Sequence, residues 1–125
     1  MAQKILVAED EVPLARALEL KLTSAGYAVR VVGDGQTALD ALAKEKFDCL
    51  VLDLVMPRLD GFAVLANIGA MLPDMHIIVL SNLSQDEDRK RVASYGVKNF
   101  FVKSDTPIAD IIKSVNVLLA HGTAQ

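Results

Sequence analysis

The chain has 125 residues, 52% of them hydrophobic, and its 13 basic and 16 acidic residues leave a net charge of -3. This length and composition exclude a disordered tail and fit a single domain, which we assign to residues 1–125. The weak negative charge excludes direct nucleic-acid binding by electrostatics alone, and no apolar run approaches the ~20 residues of a membrane span. Cys49 is the only cysteine and lies in an apolar run, so it is predicted to be a buried thiol. We therefore expect a reduced, cytoplasmic protein without a membrane partner.

The first part of the chain predicts a strand, a helix and a second strand. Residues 5–8 form a short apolar run, typical of a strand buried on both faces of a parallel sheet. Leucines at every fourth position predict the helix that follows: Leu14, Leu18 and Leu22. Pro13 suits its first turn and Gly26 its exit. The apolar run 29–32 is the second strand.

The middle of the chain repeats this alternation. A second helical stripe consists of Ala38, Leu39, Ala41 and Leu42. The third strand is predicted at residues 50–52. A third helical stripe consists of Phe62, Leu65, Ile68 and Leu72. Pro73 is predicted to close that helix, because proline removes a backbone donor that a helix interior needs.

The last part adds two more strand–helix pairs. Residues 77–80 form the fourth strand, and residues 84–87 have the capping-box pattern that opens a helix. Residues 100–102 form the fifth strand, and Thr106-Pro107 opens the fifth helix. Its apolar stripe consists of Ile108, Ile111, Ile112, Val115 and Leu119.

Five strand–helix pairs predict an α/β fold with one doubly wound, five-stranded parallel sheet and helices on both faces. We expect the flavodoxin-like strand order 2-1-3-4-5, in which ligands bind at the carboxyl ends of the strands. Polar residues follow four of the predicted strands, at Glu9-Asp10-Glu11, Asp53, Ser81-Asn82 and Lys103. All of them would meet at one edge of this sheet.

Crowded carboxylates at that edge must be relieved by separation, by protonation or by a cation, since two unit charges 4 Å apart repel by about 4 kcal/mol at an effective dielectric of 20. Hard oxygen ligands with room for water favour Mg²⁺. A carboxylate can attack phosphorus to form an acyl phosphate, and catalysis of that transfer is mostly positioning and charge stabilisation. Mg²⁺, the Lys103 ammonium and the Ser81 hydroxyl could each hold one phosphoryl oxygen. The sequence therefore predicts a phosphoryl-accepting site.

Over essentially its full length the chain resembles the receiver domains of two-component response regulators. The resemblance rests on residues 5–11, 52–61, 80–81 and 100–103, in this order and spacing. It implies that Asp53 is the phosphoacceptor, that Lys103 is the family's invariant lysine, and that Ser81 and Phe100 are its switch pair. It also implies Mg²⁺ as the cofactor, with these ligands: Glu9, Asp10, Asp53 and the backbone carbonyl of Val55. Glu9 would act through water.

By the same resemblance, a histidine kinase or phosphotransfer protein would donate the phosphoryl group, and phosphorylation would change affinity for an output partner. We expect a regulatory domain rather than an enzyme, with at most slow self-dephosphorylation. No output domain is predicted within residues 1–125. A monomer is expected, because the fifth helix and residues 97–99 lack the charged residues of many dimerising transcriptional receivers.

Two residues depart from the family pattern. Ser104 follows Lys103, where the family usually has a proline, often after a cis bond, and Asn82 follows Ser81, where the family usually has a small residue. A cis bond without proline costs roughly 2.5–4 kcal/mol. We expect either a trans bond with a reshaped loop or retained strain.

Simpler interpretations stay open beside these. The acids 9–11 also suit a helix N-terminus, and we leave Glu11 out of the site. Ser81 could cap a turn, Phe100 could be ordinary core packing, and residues 89–91 suit a solvated helix face. The alternative function is a phosphorylation-independent interaction module on the same fold. A flavin or nucleotide enzyme is disfavoured, because the acids 9–11 would repel an anionic cofactor.

Overall fold

The computed structural model describes residues 2–69, 74–83 and 85–123, with side chains up to residue 120. Five parallel strands form one sheet in the order β2-β1-β3-β4-β5. The strands are β1 Lys4–Ala8, β2 Ala28–Val32, β3 Cys49–Leu52, β4 His76–Ser81 and β5 Asn99–Val102. Within the described ranges, the helices are α1 Val12–Ser24, α2 Gly35–Lys44, α3 Gly61–Asn67, α4 Asp86–Ser94 and α5 Ile108–Thr123. The predicted flavodoxin-like fold and strand order are confirmed.

Successive side chains along each strand lie on opposite faces of the sheet and so belong to two separate core layers. Ile5 and Val7 of β1 pack with α1 and α5, whereas Leu6 and Ala8 pack with α2, α3 and α4. Cys49 belongs to the first layer, and burial raises the pKa of its thiol to about 12. The predicted burial of Cys49 is therefore confirmed.

Burial on both faces holds for the central strands and is wrong for the two outer ones. From its second residue onward β1 is buried, and β3 is buried throughout, but every residue of β5 is only half-buried and β2 alternates between exposed and half-buried until Val32. An edge strand has a neighbour on one side only, so the helices cover it incompletely. The apolar runs alone did not distinguish edge from centre.

Helix ends mostly follow their sequence signals. Pro13 lies in the first turn of α1, and Gly26 just beyond it has a left-handed φ of 100°. Helix α3 ends at Asn67, earlier than the predicted stripe, whose Leu72 and Pro73 lie outside the described residues. Gln85 occupies the N-cap of α4 and its side chain makes no capping bond, while the Ser84 of the predicted capping box also lies outside the described residues.

The predicted face of α5 is confirmed: Ile111, Val115 and Leu119 are buried, and Ile108 and Ile112 are half-buried. None of the helices in the described part of the chain combines the length and apolar character that a bilayer-spanning segment needs.

Two glycines let the loops of the carboxyl edge pack closely. A Cβ at Gly61 would collide with the carbonyl oxygen of Asp53, and a Cβ at Gly35 would collide with the carbonyl oxygen of Leu59. Asp60, at the N-cap of α3, accepts a hydrogen bond from the Ala63 amide at 2.9 Å, so Asp60-Gly61 begins a helix as its turn pattern indicates. These contacts fix the loop that begins at Asp53.

Candidate functional site

Parallel pairing brings the first two acidic segments together. Ala8 pairs with Leu52 at the ends of β1 and β3, and the Asp53 amide donates to the Ala8 carbonyl oxygen at 2.9 Å. Glu9 and Asp53 therefore leave adjacent strands at the same level. Both side chains are buried, with each residue only 3% exposed.

The ammonium of Lys103 joins three of the acids. Its Nζ lies 2.8 Å from Oε1 and 3.0 Å from Oε2 of Glu9, 3.0 Å from Oδ2 of Asp53, and 3.0 Å from Oε1 of Glu11. The Lys103 side chain is 8% exposed, so these charge pairs lie largely out of water. The predicted meeting of Lys103 with Glu9 and Asp53 is observed.

Glu11 is a contact that the sequence interpretation left out. It is the N-cap residue of α1 and is exposed, yet its carboxylate reaches Lys103. Its amide also donates to Oε2 of Glu9 at 2.9 Å, which turns the Glu9 carboxylate inward. Adjacency to Asp10 was the available signal, but a helix N-terminus explains an exposed acid equally well.

The cluster shifts the proton affinities of its members. Burial raises the pKa of Glu9 to about 7, against the lowering effects of hydrogen bonds from Lys103 and from the Glu11 amide. Burial also raises the pKa of Asp53, again opposed by hydrogen bonds from Lys103 and the Val55 amide. For Lys103 burial disfavours the charge, but hydrogen bonds to Glu9, Glu11 and Asp53 outweigh it and raise the pKa. The carboxylates of Glu9, Glu11 and Asp53 therefore share the single ammonium of Lys103.

The acids also fit a divalent ion. One carboxylate oxygen from each of Glu9, Asp10 and Asp53 lies within 4.8 Å of the others. Oε1 of Glu9 is buried and, within the described residues, has no hydrogen-bond partner, although Lys103 Nζ approaches it as an ion pair. Asp10 is exposed, which leaves room for water ligands. Hard oxygen donors beside open solvent are the environment that Mg²⁺ prefers.

Ser81 lines an open cleft of about 300 Å³ together with Asp10 and Asp53. The cleft is lined by Asp10, Glu11, Asp53, Val55, Ser81, Asn82, Leu83 and Lys103. Ser81 is fully buried, and its Oγ accepts a hydrogen bond from the Leu83 amide at 3.2 Å. The turn-capping interpretation is thus observed. The hydroxyl proton is not used by that bond, so Ser81 keeps a donor.

Residues 5–116 match the family model described as "Response regulator receiver domain". The chain belongs to the response regulator receiver domain family.

Known relatives and structures agree with the receiver assignment. The probable transcriptional regulator ycf27 of Porphyridium aerugineum is 38% identical over 105 residues, which are 84% of this chain and 43% of that relative. The receiver domain of Francisella response regulator 1452 is 28% identical, with a TM-score of 0.86 over 95% of this chain and 98% of that one. A CheY-like receiver protein from Methanospirillum hungatei JF-1 shares the fold, with a TM-score of 0.92, 18% identity, and coverage of 99% and 98%. This receiver spans less than half the length of the ycf27 relative.

Two aromatic residues near the site lie under arginines of α4. The Arg89 guanidinium is 4.8 Å from the centroid of the Phe100 ring, and Arg91 is 4.0 Å from that of Phe62. Residues 89–91 are exposed, as predicted for a solvated face, but two of them also cover rings. Phe100 itself is half-buried against the layer formed by α2, α3 and α4. Its switch role stays a prediction.

The bond after Lys103 is trans, the first of the two outcomes expected for a receiver with serine at residue 104. No cis peptide bond occurs in the described residues, and Lys103–Asp105 form a 3-10 turn. The Ser104 amide donates to Oδ1 of Asn82 at 3.0 Å. The two departures of this receiver from the family pattern therefore contact each other.

Proposed function

We propose that this receiver accepts a phosphoryl group on Asp53 and that the modified site changes the affinity of the domain for an output partner. The observation that carries the proposal is the single ammonium of Lys103 bonded to Asp53 and Glu9, with Lys103 and Asp53 both lining a solvent-open cleft. Membership of the receiver family supports the same assignment.

The transfer breaks the bond between phosphorus and the donor atom and forms a bond between phosphorus and a carboxylate oxygen of Asp53. The donor atom is a histidine nitrogen of a kinase or phosphotransfer protein, and it leaves with the electron pair. Lys103 lies within 3.0 Å of Asp53 and would neutralise charge on one phosphoryl oxygen. The Ser81 hydroxyl would donate to another.

Glu9, Asp10, Asp53 and the backbone carbonyl of Val55 would hold Mg²⁺, with Glu9 acting through water. Bound there, the ion would offset the negative charge of the acids and of the phosphoryl group. Burial of Asp53 favours its neutral form, whereas nucleophilic attack needs the carboxylate. The positive charge of Lys103 opposes this effect of burial on the pKa of Asp53 and so favours the carboxylate that attacks, as well as binding the product.

The output step would use Ser81 and Phe100. Movement of Ser81 towards the phosphoryl group would release the Leu83 amide and free space near Phe100, whose ring would turn inward from under Arg89. The face formed by α4, β5 and α5 would then differ between the two states. Phosphorylation shifts this equilibrium only by its differential stabilisation of the two states. We propose that the domain does this as a monomer in the cytoplasm.

Intact-mass spectrometry after incubation with acetyl phosphate and Mg²⁺ tests the proposal. The parent protein should gain one phosphoryl mass, which EDTA prevents and Asp53→Asn abolishes. Asp110→Asn, an exposed acid in the first turn of α5, is the matched control and should be modified like the parent.

An adduct that survives Asp53→Asn would defeat the assignment of the acceptor. Complete absence of an adduct, with partner binding unchanged by Asp53→Asn, would favour the phosphorylation-independent interaction module instead.

A further inference from the structure

The loop that carries Lys103 is attached to the neighbouring strand by one side chain. Asn82 follows β4 and Ser104 follows β5, and these strands pair up to Ser81 and Val102. Across that pair, the Ser104 amide donates to Oδ1 of Asn82 at 3.0 Å. The two residues are separated by 22 positions, so this hydrogen bond, called the Asn82–Ser104 tie below, is a tertiary contact and not a local turn bond.

The tie acts immediately beside the functional lysine. The peptide group that donates to Asn82 is the one between Lys103 and Ser104, so the bond restrains the carbonyl end of Lys103. On the other side, the Thr106 hydroxyl donates to the Val102 carbonyl oxygen at 2.8 Å. The 3-10 turn is thus held at both ends, while the Lys103 side chain runs back into the acidic cluster.

Both partners are chemically suited to this role. A backbone N–H is needed at residue 104, and serine supplies one, whereas a proline would not. An acceptor that extends from the β4 end is needed at residue 82, and the asparagine carboxamide supplies one, whereas alanine or glycine would not. Because Oδ1 is engaged with Ser104, the amide group of Asn82 has a fixed orientation at the rim of the cleft.

We infer that Asn82 is a positioning residue for Lys103: its carboxamide, bonded to the Ser104 amide, fixes the loop that places the ammonium against Asp53. The consequence for phosphoryl transfer rests on the proposed function, but the tie itself does not. Both residues are exposed, so the bond has ordinary strength, and its loss should change the measured quantities by about two- to tenfold.

Four variants test the tie. Asn82→Ala removes the acceptor. Ser104→Pro removes the donor and also restricts the backbone of Lys103, so its effect alone does not isolate the bond. The double variant removes both partners and shows whether Asn82 still contributes once the donor is gone. Ser104→Ala is the matched control, since it alters the side chain but keeps the backbone N–H. We measure backbone amide hydrogen exchange at residue 104 where an N–H is present, the NMR signals of the Lys103 ε-methylene and ammonium, and the rate of modification by acetyl phosphate with Mg²⁺.

Asn82→Ala should speed exchange of the residue 104 amide, shift and broaden the Lys103 signals, and slow phosphorylation, whereas Ser104→Ala should match the parent in all three. Ser104→Pro should reproduce the effects on Lys103 and on the rate, and the double variant should be no slower than the slower single variant. Non-additivity of this kind would not follow from two unrelated structural defects.

Unchanged exchange at residue 104 in Asn82→Ala would overturn the inference, as would unchanged Lys103 signals or multiplying effects of the two substitutions. If the parent itself takes up no phosphoryl group, the proposed function fails, and the exchange and Lys103 signals still decide whether Asn82 holds this loop.

Discussion

Lys103 is bonded to three carboxylates, of which Glu9 and Asp53 are buried. Removing one partner of such a cluster leaves uncompensated charge, which costs more than the pair itself contributes. The pKa of Glu9, already about 7, lets that residue take up a proton and relieve part of the cost. The stability of the metal-free domain therefore depends on one ammonium.

We expect Lys103→Met, which keeps most of the unbranched apolar stem and removes the ammonium, to lower the free energy of unfolding by about 3 kcal/mol in EDTA. Urea unfolding of Lys103→Met and of the parent, both in EDTA, measures this difference in free energy. Lys113→Met, at an exposed position of α5, should change it by less than about 0.5 kcal/mol. Equal unfolding free energies for Lys103→Met and the parent would mean that the three ion pairs contribute nothing net.

Sequence patterns predicted the members of this cluster unevenly. Strand ends in a parallel sheet had to converge, so Glu9, Asp53 and Lys103 could be grouped from topology alone. The Glu11 contact and the Asn82–Ser104 bond depend on side-chain reach and loop shape, which no periodicity encodes. The sequence thus predicts which residues at strand ends come together, but it does not predict which hydrogen bonds form within the loops.

At the scale of elements, the start of α2 is tied to the loop that follows β3. Asp34 caps α2 by accepting from the Thr37 amide at 2.8 Å, and Arg58, with a left-handed φ of 66°, donates to the same carboxylate at 2.7 Å. Gly35 packs against the Leu59 backbone in the same place. The Arg58 contact with this cap was not identified from the sequence, because Arg58 lies 24 positions from Asp34.

The packing of Gly35 can be tested against that of a neighbouring glycine. Gly35→Ala should lower the free energy of unfolding by roughly 1–3 kcal/mol, since the added Cβ meets a backbone carbonyl that cannot rotate away. Gly33→Ala is the matched control, because a Cβ there meets nothing within 4 Å. Chemical denaturation of both variants measures the difference. Equal free energies of unfolding for Gly35→Ala and Gly33→Ala would show that the loop after β3 moves to accommodate the added Cβ.

The Asp34 cap should also give the domain an acid-sensitive component. The hydrogen bond from Arg58, followed by that from the Thr37 amide, lowers the pKa of Asp34 from its ordinary 3.8 to about 2. A depressed folded-state pKa contributes stability that is complete above 3.8 and is lost as pH falls through about 2.

Urea unfolding of the parent and of Asp34→Asn at a series of pH values should therefore show a difference in stability that is constant near neutral pH and shrinks between about pH 4 and 2. Arg58→Ala should remove much of the same pH-dependent difference. A difference in unfolding free energy between the parent and Asp34→Asn that stays constant down to about pH 2 would contradict the pKa shift.

At the scale of the whole molecule, the two core layers bury the central strands β1, β3 and β4, and the charged cluster lies at the carboxyl edge of the sheet. Alternating strands and helices were predictable because their two hydrophobic periods differ. The apolar runs by themselves predict burial on both faces for every strand, whereas the exposure of β2 and β5 follows from the strand order, which places both at the edges, and from Arg30 within β2. Close packing of the central strands keeps the acids at their ends near one another.

Such a scaffold should be stabilised by the ion it attracts. A cation that binds the folded chain and not the unfolded chain adds about 2.7 kcal/mol at 100 times its dissociation constant. We expect the melting temperature of the parent to rise with Mg²⁺ concentration at constant ionic strength, which removes the general effect of salt. Asp10→Asn should flatten this rise, because Asp10 is the exposed acid of the three whose oxygens lie within 4.8 Å. Glu19→Gln, an exposed acid on α1, should leave it unchanged. The same rise in Asp10→Asn as in the parent would place the ion elsewhere.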